Sequence, residues 1–446
     1  MDKELLSVGI DVGTTTTQMV VSRLTAQNQA GAFAVPRLDI TKRTLIYQSP
    51  VHFTPLLGTD LVDGAGLEKL LRQEYEKAGI QPKDVDTGAV IITGETSRRK
   101  NAETVLRHLS HLAGDFVVAT AGPDLESILA AKGAGATELS AATGKRVLHM
   151  DIGGGTSNLC LIQDGQVIKT GCLNVGGRLI KYEQGKVTYL SPVAQTLTHL
   201  KVGDPVTEAA LLPLAEKLTQ GLEMAAGKRQ STDLLTQLTT KEALPWEPTD
   251  ADLICFSGGV ADCVKADVCW DAYGDLGPVL GRCIRKSLLS PYHLADHTIR
   301  ATVMGAGCHA TQLSGSTVYH RGVTLPVQNL PVVAFHRQEL VTESSIRSGL
   351  SRLDGPGVLA MPGFISPSYA QVQQLADTII NATENEAIYV TLEQDMAKVL
   401  GQAMALRCPN RAILCLDGLP VQDNCYLDVG KPVGPALPVI IKTLIL

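Results

Sequence analysis

One strand–turn–strand pattern occurs twice in this chain of 446 residues, and the two copies start 140 residues apart. Residues 11–17 read DVGTTTT and residues 151–157 read DIGGGTS. In each copy an apolar stretch leads to an aspartate, a glycine follows two positions later, and a second apolar stretch comes after the turn. Solenoid repeats have periods of roughly 20–50 residues, far shorter than this spacing. The duplication therefore predicts two related α/β halves.

Strands and helices alternate around both copies. Strands alternating with helices favour mainly parallel sheets with crossover connections. The spacing of apolar residues predicts hairpins over 6–21 and from residue 146, strands at 87–94 and 114–120, and helices over 64–78, 95–113 and 124–136. Further along it predicts a helix-rich stretch at 203–250, a buried strand within 251–262, and a glycine-containing helix over 300–315.

The sequence changes character at about residue 326. From there three strand-like runs alternate with two helical ones, and the chain ends in the apolar stretch PVIIKTLIL. This pattern predicts a small α/β unit whose expected role is packing or docking of a partner. We therefore expect domains at 1–145 and 146–325, which are the related halves, and at 326–446.

Composition limits the partners and the compartment. The formal net charge is −6 without a block of like charges, which argues against a nucleic-acid partner. No apolar run approaches the ~18 residues of a membrane span, and the first residues, MDKE, lack an apolar signal core. None of the ten cysteines forms a Cys-x-x-Cys pair, as is typical of reduced thiols in the cytoplasm. We expect a cytoplasmic protein with no membrane partner.

Several common catalytic motifs are absent from the sequence. It contains no G-x-x-x-x-G-K-[ST], no H-E-x-x-H and no G-x-S-x-G, which argues against a Walker ATPase, a zincin and a serine hydrolase. Residues 305–310, GAGCHA, match G-x-G-x-x-A. The match lacks a clear βαβ unit with an acidic residue about 20 positions later. Close helix packing is therefore the preferred explanation of these glycines.

The two Asp-containing turns are predicted to bind phosphate and magnesium. Backbone N–H groups and hydroxyls of such a turn can surround phosphate oxygens, and a neighbouring carboxylate can hold hydrated Mg²⁺. A single turn of this kind is more often a simple hairpin. Two copies favour a functional role, because an aspartate at a buried strand end is costly unless it is paired or metal-bound. Asp11 and Asp151 are the predicted catalytic carboxylates, which hold either magnesium or water. The predicted phosphate-binding residues are Gly13, Thr14, Thr15, Gly153, Gly154, Gly155 and Thr156.

A third element is the glycine pair Gly258-Gly259 after the buried strand LICFS. Bare backbone at this point could lie against a flat adenine or a ribose, and a simple strand-to-helix turn is the alternative. Thr16 and Thr17, unlike the two threonines before them, are expected to begin the return strand.

Taken in order, five elements resemble the signature of the actin, sugar-kinase and heat-shock-chaperone ATPase superfamily. The resemblance covers roughly residues 5 to 315 and implies two ribonuclease-H-like halves that close over ATP and Mg²⁺. The matching elements are the two phosphate motifs at 11–17 and 151–157, the adenosine motif at 257–260, and connecting helices at 124–136 and 300–315.

Within that superfamily the chain resembles the reactivating factors of adenosylcobalamin-dependent eliminases, and most of all the ethanolamine ammonia-lyase reactivases. The phrases ITGETSRRKNAE (92–103), AGPDLESILAAKGAGA (121–136), HMDIGGGTSN and PVIIKTL carry this resemblance. It implies a chaperone-like ATPase that opens ethanolamine ammonia-lyase, releases damaged cobalamin and admits fresh adenosylcobalamin. It also implies slow hydrolysis and a cytoplasmic location, with association with a bacterial microcompartment and a homodimer left open.

The superfamily uses an acidic residue of the first connecting helix to orient the attacking water. Glu126 is the expected residue and Asp124 the alternative, and either could instead cap the helix. Arg98, Arg99 and Lys100 could contact phosphate or a partner, although a solvated helix start is the preferred interpretation. The alternative functions are a polyphosphate or guanosine-pentaphosphate phosphatase, a sugar-type kinase, and a filament-forming actin relative.

Overall fold

The first predicted hairpin forms the centre of a sheet in the computed structural model. β1 (Lys3–Val12) and β2 (Thr16–Asn28) pair antiparallel, so Thr16 and Thr17 do begin the return strand. The inward side chains of both strands are buried apolar residues, among them Val8, Ile10 and Met19. The residues described are 3–13, 16–28, 38–57, 61–92, 105, 109, 118–120, 123–241, 245–309, 311–314, 317–353, 355–383, 387–419, 425–432 and 436–443.

The first sheet has the strand order β3-β2-β1-β7-β8, in which β7 and β8 run parallel to β1. The predicted helix at 64–78 is confirmed: the Asp63 side chain accepts the N–H of Gly66 at its start, and left-handed Gly79 ends it. The elements are β3 (Leu38–Gln48), β4 (His52–Phe53), β5 (Leu56–Leu57), β6 (Leu61–Val62), α1 (Gly64–Ala78), a 3₁₀ turn (Pro82–Asp84), β7 (Thr87–Ile92) and β8 (Val118–Thr120).

One predicted helix lies mostly outside the described residues, and another ends earlier than expected. Of the helix expected at 95–113, only Val105 and Leu109 lie among the described residues, and both are helical and buried. The helix expected at 124–136 is divided into α2 (Pro123–Gly133) and α3 (Ala136–Thr143). It breaks because Gly135 adopts a left-handed conformation, with φ of 74°, which interrupts the helical hydrogen bonds.

The second sheet repeats the first. Its order is β11-β10-β9-β14-β15, with an antiparallel hairpin at β9–β10 and with β14 and β15 parallel to β9. Each strand therefore has a counterpart at the same position and direction in the first sheet. This repetition confirms the predicted class of two ribonuclease-H-like α/β halves. The strands are β9 (Val147–Ile152), β10 (Ser157–Gln163), β11 (Gln166–Leu173), β14 (Leu253–Ser257) and β15 (Tyr292–Leu294).

A β-hairpin and helices are inserted between β11 and β14 and contribute to the largest apolar core. The helix-rich stretch predicted at 203–250 is confirmed, whereas the hairpin before it was not predicted. The elements are β12 (Ile180–Glu183), β13 (Lys186–Leu190), α4 (Pro192–Leu197), α5 (Glu208–Ala225) and α6 (Asp233–Leu238).

Two short helices lie between β14 and β15, and a third follows β15. The helix predicted over 300–315 is shorter than expected, because it ends in a π-helical turn at Gly305–His309 and the chain becomes extended at Gln312–Leu313. The elements are α7 (Gly259–Lys265), α8 (Gly277–Arg285), α9 (Ala301–Met304) and the π turn.

The C-terminal residues form the predicted α/β unit around an eight-stranded mixed sheet of order β16-β23-β22-β18-β19-β20-β21-β17. Two of its strands, β16 (Gln312–Leu313) and β17 (Tyr319–Arg321), precede residue 326, and the domain boundary placed there stays a prediction. The other elements are β18 (Val327–Ala334), a 3₁₀ turn (Gln338–Leu340), α10 (Glu343–Leu350), β19 (Val358–Met361), α11 (Tyr369–Ala382), β20 (Ala387–Leu392), α12 (Ala397–Arg407), β21 (Ala412–Leu416), β22 (Cys425–Val429) and β23 (Pro438–Thr443).

Candidate functional site

The two Asp-containing turns close with the same backbone hydrogen bond. The N–H of Gly13 donates to the carbonyl of Thr16, and the N–H of Gly153 donates to the carbonyl of Thr156, both at 2.9 Å. The aspartates also have equivalent positions in their hairpins: Asp11 lies opposite Gln18, and Asp151 lies opposite Asn158. The likeness read from the sequence is therefore a likeness of three-dimensional structure.

Asp151 is buried in a set of hydroxyl donors. The Ser257 Oγ donates to one carboxylate oxygen at 2.5 Å, and the Thr302 Oγ1 donates to the other at 3.4 Å. Burial raises the pKa of Asp151 to about 6, and the two hydroxyl hydrogen bonds oppose that rise. The ionised carboxylate is thus held in one orientation, at an energetic cost that a nearby cation would lower.

His149 lies behind this carboxylate, and its Nε2 is 2.9 Å from the Ser257 Oγ. Complete burial lowers the pKa of His149 to about 3, so the ring is neutral near pH 7. Because Ser257 gives its one hydroxyl proton to Asp151, we infer that His149 donates from Nε2. Its Nδ1 has no hydrogen-bond partner within the described part of the chain. Sequence reasoning missed the contact between His149 and Ser257. The available signal was that His149 and Asp151 are two positions apart on one strand, which places their side chains on the same face.

The glycine loop after β9 is exposed to solvent on one side and held by backbone hydrogen bonds on the other. Gly154 and Gly155 are exposed, and a methyl group on Gly155 would meet no atom within 4 Å. The carbonyls of Gly153 and Gly154 accept the N–H groups of Gly177 and Arg178, at 3.0 and 2.6 Å. The loop therefore has a fixed base and an exposed outer face, as a phosphate-binding loop requires.

Arg178 is a further residue that sequence reasoning missed. Its side chain lies beside Gly154, and its Nε is 3.3 Å from the carboxylate of Asp275. Burial raises the pKa of Asp275, and its bonds to Gly277 and Arg178 oppose this effect. A guanidinium thus lies next to the predicted phosphate loop and is held by a buried carboxylate, although the two residues are 97 positions apart.

The glycine pair follows the strand that carries Ser257. Gly258 has φ of 87°, which favours glycine, and a methyl group there would overlap the carbonyl of Ile152. The strand-to-helix turn therefore packs directly against the end of β9, next to Asp151. The structure brings Gly258 and Gly259 to the second Asp-containing turn, whereas their role in binding adenosine stays a prediction.

The first turn is described in part. Asp11 is partly buried at the end of β1, and the Thr54 Oγ1 donates to the carbonyl of Gly13 at 2.8 Å. Thr14 and Thr15 lie outside the described residues, as do the basic residues 98–100. Thr54 was not recognised from the sequence, and it fixes the base of this turn.

The two acidic candidates for orienting water lie in the first turn of α2. Asp124 is exposed and accepts a hydrogen bond from the Thr170 Oγ1 on β11 at 2.5 Å. That contact gives Asp124 a structural role, because it links α2 to β11 of the second sheet. Glu126 is partly buried and stays the preferred prediction.

The glycines of the GAGCHA segment serve close packing, as predicted. A methyl group on Gly305 would overlap the carbonyl of Leu129 on α2, and one on Gly133 would overlap the carbonyl of Ala301. The helices α2 and α9 therefore touch backbone to backbone where they connect the halves.

The described residues lack two features. They contain no group of three or more His, Cys, Asp or Glu side chains arranged to hold a metal ion. None of the helices among them has the length and apolar character that a membrane crossing needs.

The chain is similar to known proteins over nearly its whole length. The family model of the ethanolamine utilisation protein EutA matches residues 3–446. The ethanolamine ammonia-lyase reactivase EutA of Salmonella typhimurium is 37% identical over 475 residues, which cover 99% of this chain and 98% of that protein. The protein of the same description from Escherichia coli is 36% identical over 465 residues, with the same coverage. The PPX-GPPA enzyme of Aquifex aeolicus shares 14% identity at a TM-score of 0.44, covering 68% of this chain and 99% of its own. The chain belongs to the family of ethanolamine utilisation proteins EutA.

Proposed function

We propose that this chain is an ATP-hydrolysing reactivase of ethanolamine ammonia-lyase, which exchanges damaged cobalamin for intact adenosylcobalamin. The observation that carries the ATPase part is the pair of identically closed turns, each preceded by an aspartate at a strand end. The partner enzyme follows from the family, because both curated relatives are named as reactivases of that lyase.

The residues present fit a phosphate chain with a divalent cation. Asp151 pays a desolvation cost when ionised, and a cation beside it would offset that cost. The outer face of Gly154 and Gly155 leaves room for phosphate oxygens against the backbone. Mg²⁺ near Asp11 and Asp151 would neutralise charge on the phosphate oxygens and so favour transfer of the terminal phosphoryl group to water, with the diphosphate as the leaving group.

Each residue of the site has a separate task in this proposal. Ser257 and Thr302 orient the Asp151 carboxylate. Arg178 supplies positive charge beside the glycine loop, and Glu126 orients the attacking water. Phosphoryl transfer depends on such positioning and charge neutralisation more than on covalent chemistry.

The contact between α2 and α9 could transmit a change at Asp151 to the packing of the two halves. Thr302 lies on α9 and donates to Asp151, while the backbone of α9 packs on α2 through Gly133. A ligand that binds the closed arrangement of the halves better than the open one would shift the equilibrium between them. Slow hydrolysis that is coupled to the lyase would then reverse the shift.

A rescue assay tests the proposal. Ethanolamine ammonia-lyase inactivated with damaged cobalamin is incubated with this protein, Mg·ATP and fresh adenosylcobalamin, and lyase activity is followed. We expect recovery with the wild-type chain and its loss with Asp11→Asn or Asp151→Asn. Asp164→Asn is the matched control: it removes the same charge from an exposed turn at the other end of β10, where φ is 51° and asparagine is well tolerated.

The possible outcomes separate the parts of the proposal. Absence of recovery with the wild-type chain, in the presence of recovery by a known reactivase, would refute the assigned partner. Recovery that survives both Asp→Asn substitutions would refute the assigned site. Rapid ATP turnover that does not respond to the lyase would contradict a coupled reactivase.

A further inference from the structure

A cavity of about 310 Å³ lies at the connection between the halves, and none of the described residues of the two Asp-containing turns lines it. Its walls come from β3, from the end of α2 and the residues after it, from the loop after β15, and from the π-helical turn. We call it the connector cavity. It is lined by Arg43, Leu45, Lys132, Gly133, Ala134, Gly135, Glu138, Asp296, His297, Met304, Cys308 and His309.

Lys132 is the most informative residue of the connector cavity. It lies in the last turn of α2 with its side chain half-buried. Burial lowers the pKa of Lys132, and the positive charge of Arg43 lowers it further. A phosphate oxygen close to this ammonium group would favour its charged form and so oppose the effect of burial.

Arg43 and His309 also line the cavity, as does the exposed side chain of His297. The Arg43 Nε donates to the carbonyl of Cys308 at 2.8 Å, which fixes the guanidinium at the wall. Burial, followed by the charge of Arg43, lowers the pKa of His309 to about 4, so its ring is neutral near pH 7 and offers one N–H donor. Lys132, Arg43 and His309, which come from three elements of the fold, therefore line one cavity.

The two acidic residues at the cavity are more exposed to solvent than Lys132 and His309. Glu138 and Asp296 are both exposed, and Glu138 also accepts a hydrogen bond from the Thr137 hydroxyl at 2.7 Å. Glu138 raises the pKa of Lys132 and of His309, yet both pKa values stay below their ordinary range. A cation would gain little here, and no metal-holding group of His, Cys, Asp or Glu exists among the described residues.

We propose that the connector cavity binds a phosphate group, as inorganic phosphate or as the phosphate of a small ester. Arginine and lysine are the usual partners of phosphate oxygens, and their two charges match a dianion. The volume lies at the lower end of the ~300–1,000 Å³ that is typical of small-molecule sites. The inference is independent of the proposed function, because it uses no residue of the Asp-containing turns.

Isothermal titration calorimetry with inorganic phosphate and with glycerol phosphate tests the site. The nucleotide-binding turns are first saturated with Mg·ADP, and the titrations are repeated without nucleotide in the Asp151→Asn variant. We expect saturable binding in both settings, and a loss of about tenfold or more in affinity for Lys132→Gln or Arg43→Gln, since each removes a charge-assisted hydrogen bond. Lys145→Gln is the matched control, because this lysine is exposed just after α3 and does not line the cavity.

Each result decides the question. Phosphate binding that Mg·ADP abolishes, or that Lys132→Gln and Arg43→Gln leave unchanged, would overturn the proposal, as would the absence of saturable binding to the folded wild-type chain. Uncharged glycerol should not bind. If glycerol phosphate binds more tightly than inorganic phosphate, the natural ligand is an ester; the reverse order identifies inorganic phosphate.

Discussion

Replacing Asp151 with asparagine removes one buried carboxyl group and keeps the size of the side chain. Burial raises the pKa of this group from 3.8 to about 6, so the folded chain binds the proton more tightly than the unfolded chain. Without ligand, the wild-type protein should therefore lose stability as the pH rises from about 4 to about 6. A shift of roughly two pKa units, at about 1.4 kcal/mol each, gives about 3 kcal/mol at pH 8.

Asparagine does not titrate, so the variant should escape this loss. The difference in free energy of unfolding, variant minus wild type, should rise by about 3 kcal/mol between pH 4 and pH 8. His149 adds a separate effect, because its lowered pKa removes stability from both proteins as the pH falls below about 6.5. That effect cancels in the difference.

Intrinsic fluorescence during unfolding by urea provides the assay. The only two tryptophans of the chain, Trp246 and Trp270, lie between β13 and β15, so the signal reports the half that contains Asp151. Asp164→Asn controls for a change of charge alone. A difference between variant and wild type that is independent of pH, or that falls as the pH rises, would refute the reasoning. Mg·ATP should stabilise the wild type more than the variant, because the cation offsets the charge that the variant lacks.

Three further substitutions separate shape from charge around the site. Gly258→Ala should lower the free energy of unfolding by about 1–3 kcal/mol, because its methyl group overlaps the Ile152 carbonyl at an unfavourable φ; urea unfolding identical to wild type would contradict this. Gly155→Ala should unfold like the wild type, since nothing lies within 4 Å of the added methyl group, yet bind ATP more weakly in calorimetry; unchanged ATP affinity would count against the loop. Arg178→Met should reduce ATP affinity about tenfold through the lost charge, and an affinity equal to wild type would exclude Arg178 from the phosphate site.

The two halves could be predicted from the sequence because their signals are local. Apolar alternation and turn residues specify the hairpins at Asp11 and Asp151, and the repeated pattern specifies their relationship. Helix ends were less predictable, because glycine has several roles. Gly135 breaks a helix through its left-handed backbone, whereas Gly133, two positions earlier, stays helical and allows α9 to approach.

The environment of Asp151 could not be predicted in the same way. Ser257 reaches the carboxylate because β14 pairs parallel with β9 in a register that places these two residues side by side. That register spans 106 positions of sequence and depends on the whole insert between the strands folding. Arg178 and Thr302 likewise reach the site through tertiary packing, so no spacing in the sequence indicates them.

The first sheet shows why the two aspartates are not interchangeable. The position that corresponds to Ser257 there is Ile91, which lies beside Asp11 on β7 and has no hydroxyl to donate. Ile91 packs instead against residues of both connecting helices, among them Ala306 in the π turn after α9. Four positions before Ala306, Thr302 donates to Asp151 in the second half. One short helical segment therefore anchors on the apolar face of the first sheet and touches the buried carboxylate of the second. If the proposed function is correct, a change of charge at Asp151 should act through Thr302 on the segment that contacts both sheets.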